Sequence, residues 1–363
     1  MITASVASFK DALASVSIPK CDSMPVFSQV KVSPLEGSFT VESIEPSGHG
    51  VCAVTCPGLS KSNPFLLPGD LVRQAMATLD ASDTIQITPA GISAEDAAWE
   101  FCPLPVDDFQ CWLSFTSAGS AKMPAASLAK IIASVLYAVP VKDHRRVLNS
   151  VLLSFSCNVV TATGTNGKQL ARVQAQADTS GDMAQAIVPV DYARMLSRWL
   201  EKAAGDAVIH KTEGFCAVEH GSTRISFKEV EGRFPDCNAV IPKQFSHTFT
   251  FNKAAMGQAI KRAGLVADDK SRVAVMHFKS GNCHISAMAS EVGKYHGAVP
   301  VMTESEDLEI SLSVPFLNET MNSFQAERVC LSCSGRTGPA RMTASADETQ
   351  GIRIIMPVKT EKE

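Results

Sequence analysis

Glu231-Gly-Arg-Phe-Pro-Asp-Cys-Asn-Ala-Val-Ile-Pro-Lys243 decides how the chain is divided. Pro235 and Pro242 each fix φ near about −65° and lack an N–H, so neither suits a central ladder, and the residue before each is held extended. Val240 and Ile241 are apolar but too short a run for a strand of their own. The stretch reads as a proline-punctuated joint between two modules. The chain on either side tests that reading.

Working outward, amphipathic stretches recur. Ser8–Ile18 places Phe9, Leu13 and Val16 at helical spacing behind a serine suited to cap. Similar stretches open at Leu67-Pro68, Met123-Pro124, Val188-Pro189, Asn252 and Val314-Pro315, each about sixty residues after the last. Four of the six pair an apolar residue with a proline, expected in the first turn, where the missing N–H costs nothing. Between them lie alternating segments with strand character: Asp83–Thr88, Val147–Phe155, Arg272–Phe278, Leu308–Leu312 and Arg328–Cys333. Asn166-Gly167 sits between two such segments and signals a tight hairpin. Each unit is one helix plus a few antiparallel strands, and two units make a domain of about 120 residues, a common size. The small-residue stretch Ser117–Ser120 reads as a linker. The fold class expected is α+β: three tandem similar domains, 1–119, 120–242 and 243–363.

Composition narrows the function. The 363 residues are 45% apolar, ample for several cores, with no run of the roughly 18–20 apolar residues that a membrane span needs. The N-terminus lacks the basic start and apolar stretch of a signal peptide, so a cytoplasmic protein is expected. Eleven cysteines, an odd number scattered among apolar neighbours, read as buried free thiols in a reducing compartment. Cys330-Leu-Ser-Cys333 is spaced like half a zinc site but has no matching half, so no metal or cofactor is expected. A formal charge of −4 excludes a basic nucleic-acid binder overall and leaves room only for a local basic face. Gly164-Thr-Asn-Gly-Lys168 is too short between its glycines for a phosphate loop and is followed by Gln169. No Gly-x-Ser-x-Gly elbow occurs, and His277, Cys283 and His284 read as packed strand residues. No enzyme is expected.

The wording of the joint resembles the segment between the second and third domains of the bacterial DNA polymerase III beta subunit, the sliding clamp. The resemblance continues through Ser120–Arg172, which includes Asp143-His-Arg-Arg-Val-Leu-Asn149 and Thr165-Asn-Gly-Lys-Gln-Leu170. It extends to Arg262-Ala-Gly-Leu-Val-Ala-Asp-Asp-Lys270 and Ile354-Ile-Met-Pro-Val-Lys359. Over the first 120 residues it is loose, resting on Met24-Pro-Val26 and Leu104-Pro-Val-Asp-Asp-Phe109.

The resemblance implies a head-to-tail homodimeric ring around duplex DNA that acts as a processivity factor for a DNA polymerase. Cations on the helices, Lys10, Arg73, Lys130, Arg194, Arg198, Lys202, Lys253, Lys261 and Arg262, would face DNA, while Asn318, Glu319 and Asn322 leave the last helix without any. Polymerase, clamp loader and other clamp-motif proteins would insert an apolar peptide into a groove. That groove would comprise Leu148, Thr165, Gly167, Leu170, Pro235, Val240, Ile354, Ile355, Met356 and Pro357. Where clamps usually carry a His-Arg pair after the glycine, Lys168 and Gln169 stand here, which implies a rim that reads a somewhat different peptide. The ring is expected to close through Trp99 and Phe101, on one face of an edge strand, against Leu265 and Val266. The alternative is a clamp-like interaction scaffold that does not encircle DNA.

Overall fold

The computed structural model describes residues 1–16, 25–44, 50–60, 63–102, 104–109, 117–268, 272–344 and 347–359. Ile18, Met24, Asp269 and Lys270, quoted above, lie outside them. Six helices carry the repeat: α1 (Val6–Ser15), α2 (Gly69–Ala77), α3 (Ala125–Leu136), α4 (Val190–Leu200), α5 (Lys253–Gly264) and α6 (Val314–Asn322). Each is entered directly from a strand, and each is followed by three strands paired as an antiparallel meander.

The helix starts show where local reading slips. Pro68 and Pro189 are the extended cap residues of α2 and α4, and Pro124 is the last residue of the strand before α3. Only Pro315 lies in a first helical turn. A proline's fixed φ and missing N–H suit the final residue of a strand as well as a helix start, so the motif marks the strand-to-helix corner. Likewise Ser5, not Ser8, caps α1, accepting from the Ser8 N–H at 3.2 Å.

Among the described residues the strands form three sheets of five, nine and twelve strands. Contacts divide the chain into two compact units. One comprises Met1–Ala125, Thr179–Met183 and Gly205–Glu229; the other comprises Ala126–Asp178, Ala184–Ala204 and Val230–Glu363. These do not coincide with the spans 1–119, 120–242 and 243–363, because backbone pairing runs across both expected boundaries. In the first unit the third strand after α1, Gly50–Pro57, pairs antiparallel with the third strand after α4, Thr223–Lys228. In the second, the third strand after α3, Gln169–Gln176, pairs antiparallel with the third strand after α6, Asp347–Ile355. Gly119 is no linker: it begins the strand Gly119–Pro124, and a Cβ there would lie 2.5 Å from Met183 Cγ. Small residues stand there to let two segments approach.

The first unit is cored by Phe9 and Phe39, whose rings lie 6.0 Å apart, with Leu13, Leu67 and Met76 around them. In the second, Phe249 stacks on Phe278 at 3.9 Å beneath α5 and α6. The Asn-Gly hairpin forms as its sequence implies: Gly167 takes φ of 85°, and the Asn166 Oδ1 accepts from the N–H groups of Lys168 and Gln169, each at 2.9 Å. Cys56, Cys216, Cys237, Cys283 and Cys333 are buried free thiols, and burial pushes those of Cys56 and Cys283 up to about 12. Cys102 and Cys157 are exposed. Cys330 and Cys333, three apart on the strand Arg328–Cys333, fall on opposite faces of the sheet.

Candidate functional site

The pairing of Gln169–Gln176 with Asp347–Ile355 sets Leu170 opposite Ile354 and Gln169 opposite Ile355. Alternation along both strands then puts Leu170 and Ile354 on one face of the sheet. The opening joint lies over that face: Phe234 and Cys237 pack with Leu152, Leu170, Ile187 and Ile354 in a small apolar cluster. Beside it opens a cavity of about 160 Å³. Leu148, Thr165, Gly167, Lys168, Gln169, Leu170, Pro235, Val240, Ile354 and Met356 line it. Leu148 arrives on a short 3-10 turn, Arg146–Leu148, not on the strand read from the sequence, which begins at Ser150. Val240 is 44% exposed and gives the cavity an apolar lip.

Two of the expected members are not among the residues that line it. Ile355 is fully buried in the core on the other side of the sheet, where successive strand residues must alternate. Pro357 lies beyond the strand and does not line the cavity. Three residues that the sequence reading does not assign to the groove do line it: Arg145, Asp236 and Cys237.

The polar rim differs from the expectation. Gln169 is buried, with its amide turned through the sheet to donate to Glu319 Oε2 at 3.0 Å and to the Tyr137 carbonyl at 3.4 Å. It therefore fastens the strand to α6 and offers little to a ligand. The guanidinium at the rim belongs to Arg145. Its Nε and one terminal nitrogen each donate to Asp143 at 3.0 Å, and it also donates to the Asn166 carbonyl at 3.2 Å, lying against Gly167. Arg145 holds the Asp143 carboxyl well below the usual carboxylate range, so the pair stays ionised at neutral pH. Asn149 closes on the Asp143 backbone through two hydrogen bonds of 2.8 and 2.9 Å, fixing the loop that carries the arginine. The signal for Arg145 was present in Asp143-His-Arg145, a carboxylate two residues from an arginine. Arg172 fastens the joint to the sheet by donating to Asn238 Oδ1 at 2.8 Å.

The helix cations divide into two groups. The Lys10 ammonium of α1 donates to the Leu79 carbonyl just beyond α2 at 2.7 Å, and Arg73 of α2 donates to the carbonyls of Leu13 and Val16 at the end of α1. The two helices thus cap each other, cations meeting the negative helix ends. Lys253 of α5 donates likewise to the Phe324 carbonyl beyond α6. Lys130, Arg198, Lys202, Lys261 and Arg262 are exposed, while Arg194 is half-buried, 3.7 Å from Asp191. Trp99 and Phe101 are half-buried and pack on the core of the first unit, and Ala98–Glu100 is an edge strand of the five-stranded sheet. Leu265 is 79% exposed, but Val266 packs against the core of the second unit, so replacing both would disturb more than a surface.

Comparisons with known proteins give one family. Its model for the central domain of the DNA polymerase III beta subunit matches residues 122–236, and its model for the C-terminal domain matches 238–359. The beta sliding clamp of Vibrio cholerae is 21% identical over 341 residues, covering 93% of each chain. That of Chlamydia pneumoniae is 23% identical over 347 residues, covering 94% of this chain and 93% of its own. The crystal structure of the DNA polymerase III subunit beta from Pseudomonas aeruginosa is similar, with a TM-score of 0.88 at 20% identity, covering 99% of this chain and 100% of its own. So is a sliding clamp from that organism bound to griselimycin, with a TM-score of 0.86 at 19% identity and 99% of both chains covered. At these identities the solved structures show the fold, and they show it over the loosely matching first 120 residues too.

The division of the cations is testable by unfolding. Arg73→Met removes donors to two helix-end carbonyls and is expected to lower stability by about 1 kcal/mol. Replacing Arg198 and Lys202 by Gln should leave stability within about 0.5 kcal/mol. Equal losses in denaturant melts would show that Arg73 is not a cap.

Proposed function

The chain belongs to the family of DNA polymerase III beta subunits, the beta sliding clamps, and from that premise we propose how its surfaces do the work. The family is a non-enzymatic processivity factor: a closed ring cannot leave duplex DNA sideways, so a polymerase tethered to it stays at the template. The division into three repeats, 1–119, 120–242 and 243–363, supplies three of the six equivalents of such a ring. The observation that carries the reading is the pairing of third strands. Those after α1 and α4 pair with each other, as do those after α3 and α6. The third strands after α2 and α5, Ala98–Glu100 and Gly293–Met302, remain. Ala98–Glu100 is an edge, and Gly293–Pro300 pairs among the described residues only with Asn282–Ala289. By the same rule these two strands join between chains, antiparallel, and two head-to-tail contacts close the ring. Trp99 and the exposed Leu265 then flank the contact. This closure disfavours the alternative of a scaffold that leaves DNA unencircled.

Inside the ring, Lys130, Arg198, Lys261 and Arg262 supply exposed positive charge on α3, α4 and α5, Lys202 adds one from the turn just beyond α4 rather than from the helix, and α6 supplies none. Attraction to phosphates of this kind carries no sequence information and weakens steeply with salt, as sliding requires. On the groove side, an apolar peptide from a polymerase, a clamp loader or another partner fills the cavity over Leu170 and Ile354. The fixed guanidinium of Arg145 takes a carbonyl or carboxylate of that peptide. Among the described residues no helix is long and apolar enough to cross a membrane. The place of action proposed is the cytoplasm.

Removing Met356–Glu363 takes away the Met356 wall of the groove and two backbone bonds, Met356 N–H to Lys168 and Val358 N–H to Ser311. The protein should still fold and should lose affinity for clamp-motif peptides at least tenfold. An unchanged dissociation constant in a peptide titration would refute the groove.

Ring closure has its own test. Val301 donates inward to the Gly281 carbonyl, and Pro300 has no N–H, so the N–H groups of Lys294, His296 and Ala298 point to the free edge. Ala298→Pro removes an outward donor and leaves the inner ladder intact. Sedimentation is expected to show a folded monomer; a variant as dimeric as the parent would place the contact elsewhere.

A further inference from the structure

Sequence alone reads His277, Cys283 and His284 as packed strand residues, and the structure separates them. Cys283 is buried in the core. His277 is half-buried and His284 exposed, on the other, solvent-facing side of the sheet. Antiparallel pairing of Val273–Lys279 with Asn282–Ala289 sets the two histidines directly opposite each other. Val301 donates to the Gly281 carbonyl, so His284 meets Ala298 without backbone hydrogen bonds and turns its own N–H and C=O to the strand of His277. His277 and His284 are therefore a hydrogen-bonded pair, with Cα atoms about 5.5 Å apart. The sequence neighbours Met276, Phe278, Cys283 and Ile285 are buried in the core, and a tight turn through Ser280 and Gly281, with φ of 51° and 74°, joins the strands. The backbone beneath both rings is thus fixed. Glu309 faces His277 from the next strand, Leu308–Ser313, and Lys279, a cation on the same face, is paired with Asp307 at 3.8 Å.

Neither ring is engaged by a hydrogen bond or ion pair among the described residues. Two imidazoles on a fixed hairpin need only side-chain rotation to bring a nitrogen each onto one ion, which keeps the entropy cost low. Neutral imidazole suits zinc, nickel and copper, whereas magnesium and calcium take oxygen ligands. We propose that His277 and His284 form a two-imidazole site for a borderline divalent cation, Zn²⁺, Ni²⁺ or Cu²⁺. The carboxylate of Glu309 adds negative charge beside the pair. Among the described residues no three His, Cys, Asp or Glu side chains are gathered for a metal, so water fills the remaining positions. Those positions are open to a donor from another molecule. The site uses neither the groove nor the free strand edge, so it stands apart from the reading of function given above.

Calorimetric titration of Ni²⁺ into the full-length protein at about pH 7.5 tests the assignment, well above the ordinary imidazole pKa of about 6.5. Saturable binding is expected, weakened about tenfold or more by His277→Thr and equally by His284→Thr, since either change forfeits the gain of holding both rings on one ion. Threonine suits an outward strand position, so both variants should fold; should one fail, the Asn variant at the same position takes its place. Ni²⁺ should raise the unfolding temperature of the parent and not of the variants. Lowering the pH to about 5.5 protonates the rings and should weaken binding about tenfold or more. Ni²⁺ binding at full strength in either folded variant, or no saturable binding by the parent, overturns the proposal.

Discussion

Twice in this chain the third strand after one helix pairs antiparallel with the third strand after another, and those two backbone ladders hold the repeats in register. A strand edge left in water is a template for any passing strand, so a chain built from six meanders must satisfy or blunt six such edges. Four are satisfied internally. The other two, Ala98–Glu100 and Gly293–Pro300, lack such an internal partner, and they are the edges proposed to pair with a second copy of the chain. Pro300 ends the free edge because it has no N–H to offer, a device that limits how far a partner strand can extend. Oligomerisation in this account is the continuation of an internal rule.

The groove follows from the same ladder. Pairing Leu170 with Ile354 brings two apolar side chains to one face of the sheet, and the proline-punctuated joint, unable to enter the sheet itself, lies across them. The cavity is what remains between the joint, the Asn-Gly hairpin and the chain beyond Ile355. Gln169 ties this strand through the sheet to Glu319 of α6.

Much of this was legible in the sequence, and the failures have physical causes. The period of about sixty residues and the Asn-Gly turn are local or additive signals, and both hold in the fold. The proline motif was misplaced by a residue or two because a strand end and a helix start share one backbone preference. Ile355 was assigned to the groove because a run of apolar residues conceals the alternation that sends every second one to the far face. Gln169 was read as a rim residue because its hydrogen-bond partner, Glu319, lies 150 positions away. Lys10, Arg73 and Lys253 were counted with the free cations for the same reason: each caps the end of another helix, a tertiary fact that charge patterning does not contain. Arg145 was missed although Asp143 stands two residues before it, a spacing that fixes a guanidinium locally.

The central claim is topological: the protein holds DNA by enclosing it, with contacts too weak to hold alone. The most direct measurement loads the protein onto a nicked circular duplex with a clamp loader, then cuts the circle once and follows the bound fraction at moderate salt. The account predicts stable retention on the circle and loss within the time needed to slide off the ends of the linear form. Equal retention on both forms would contradict it.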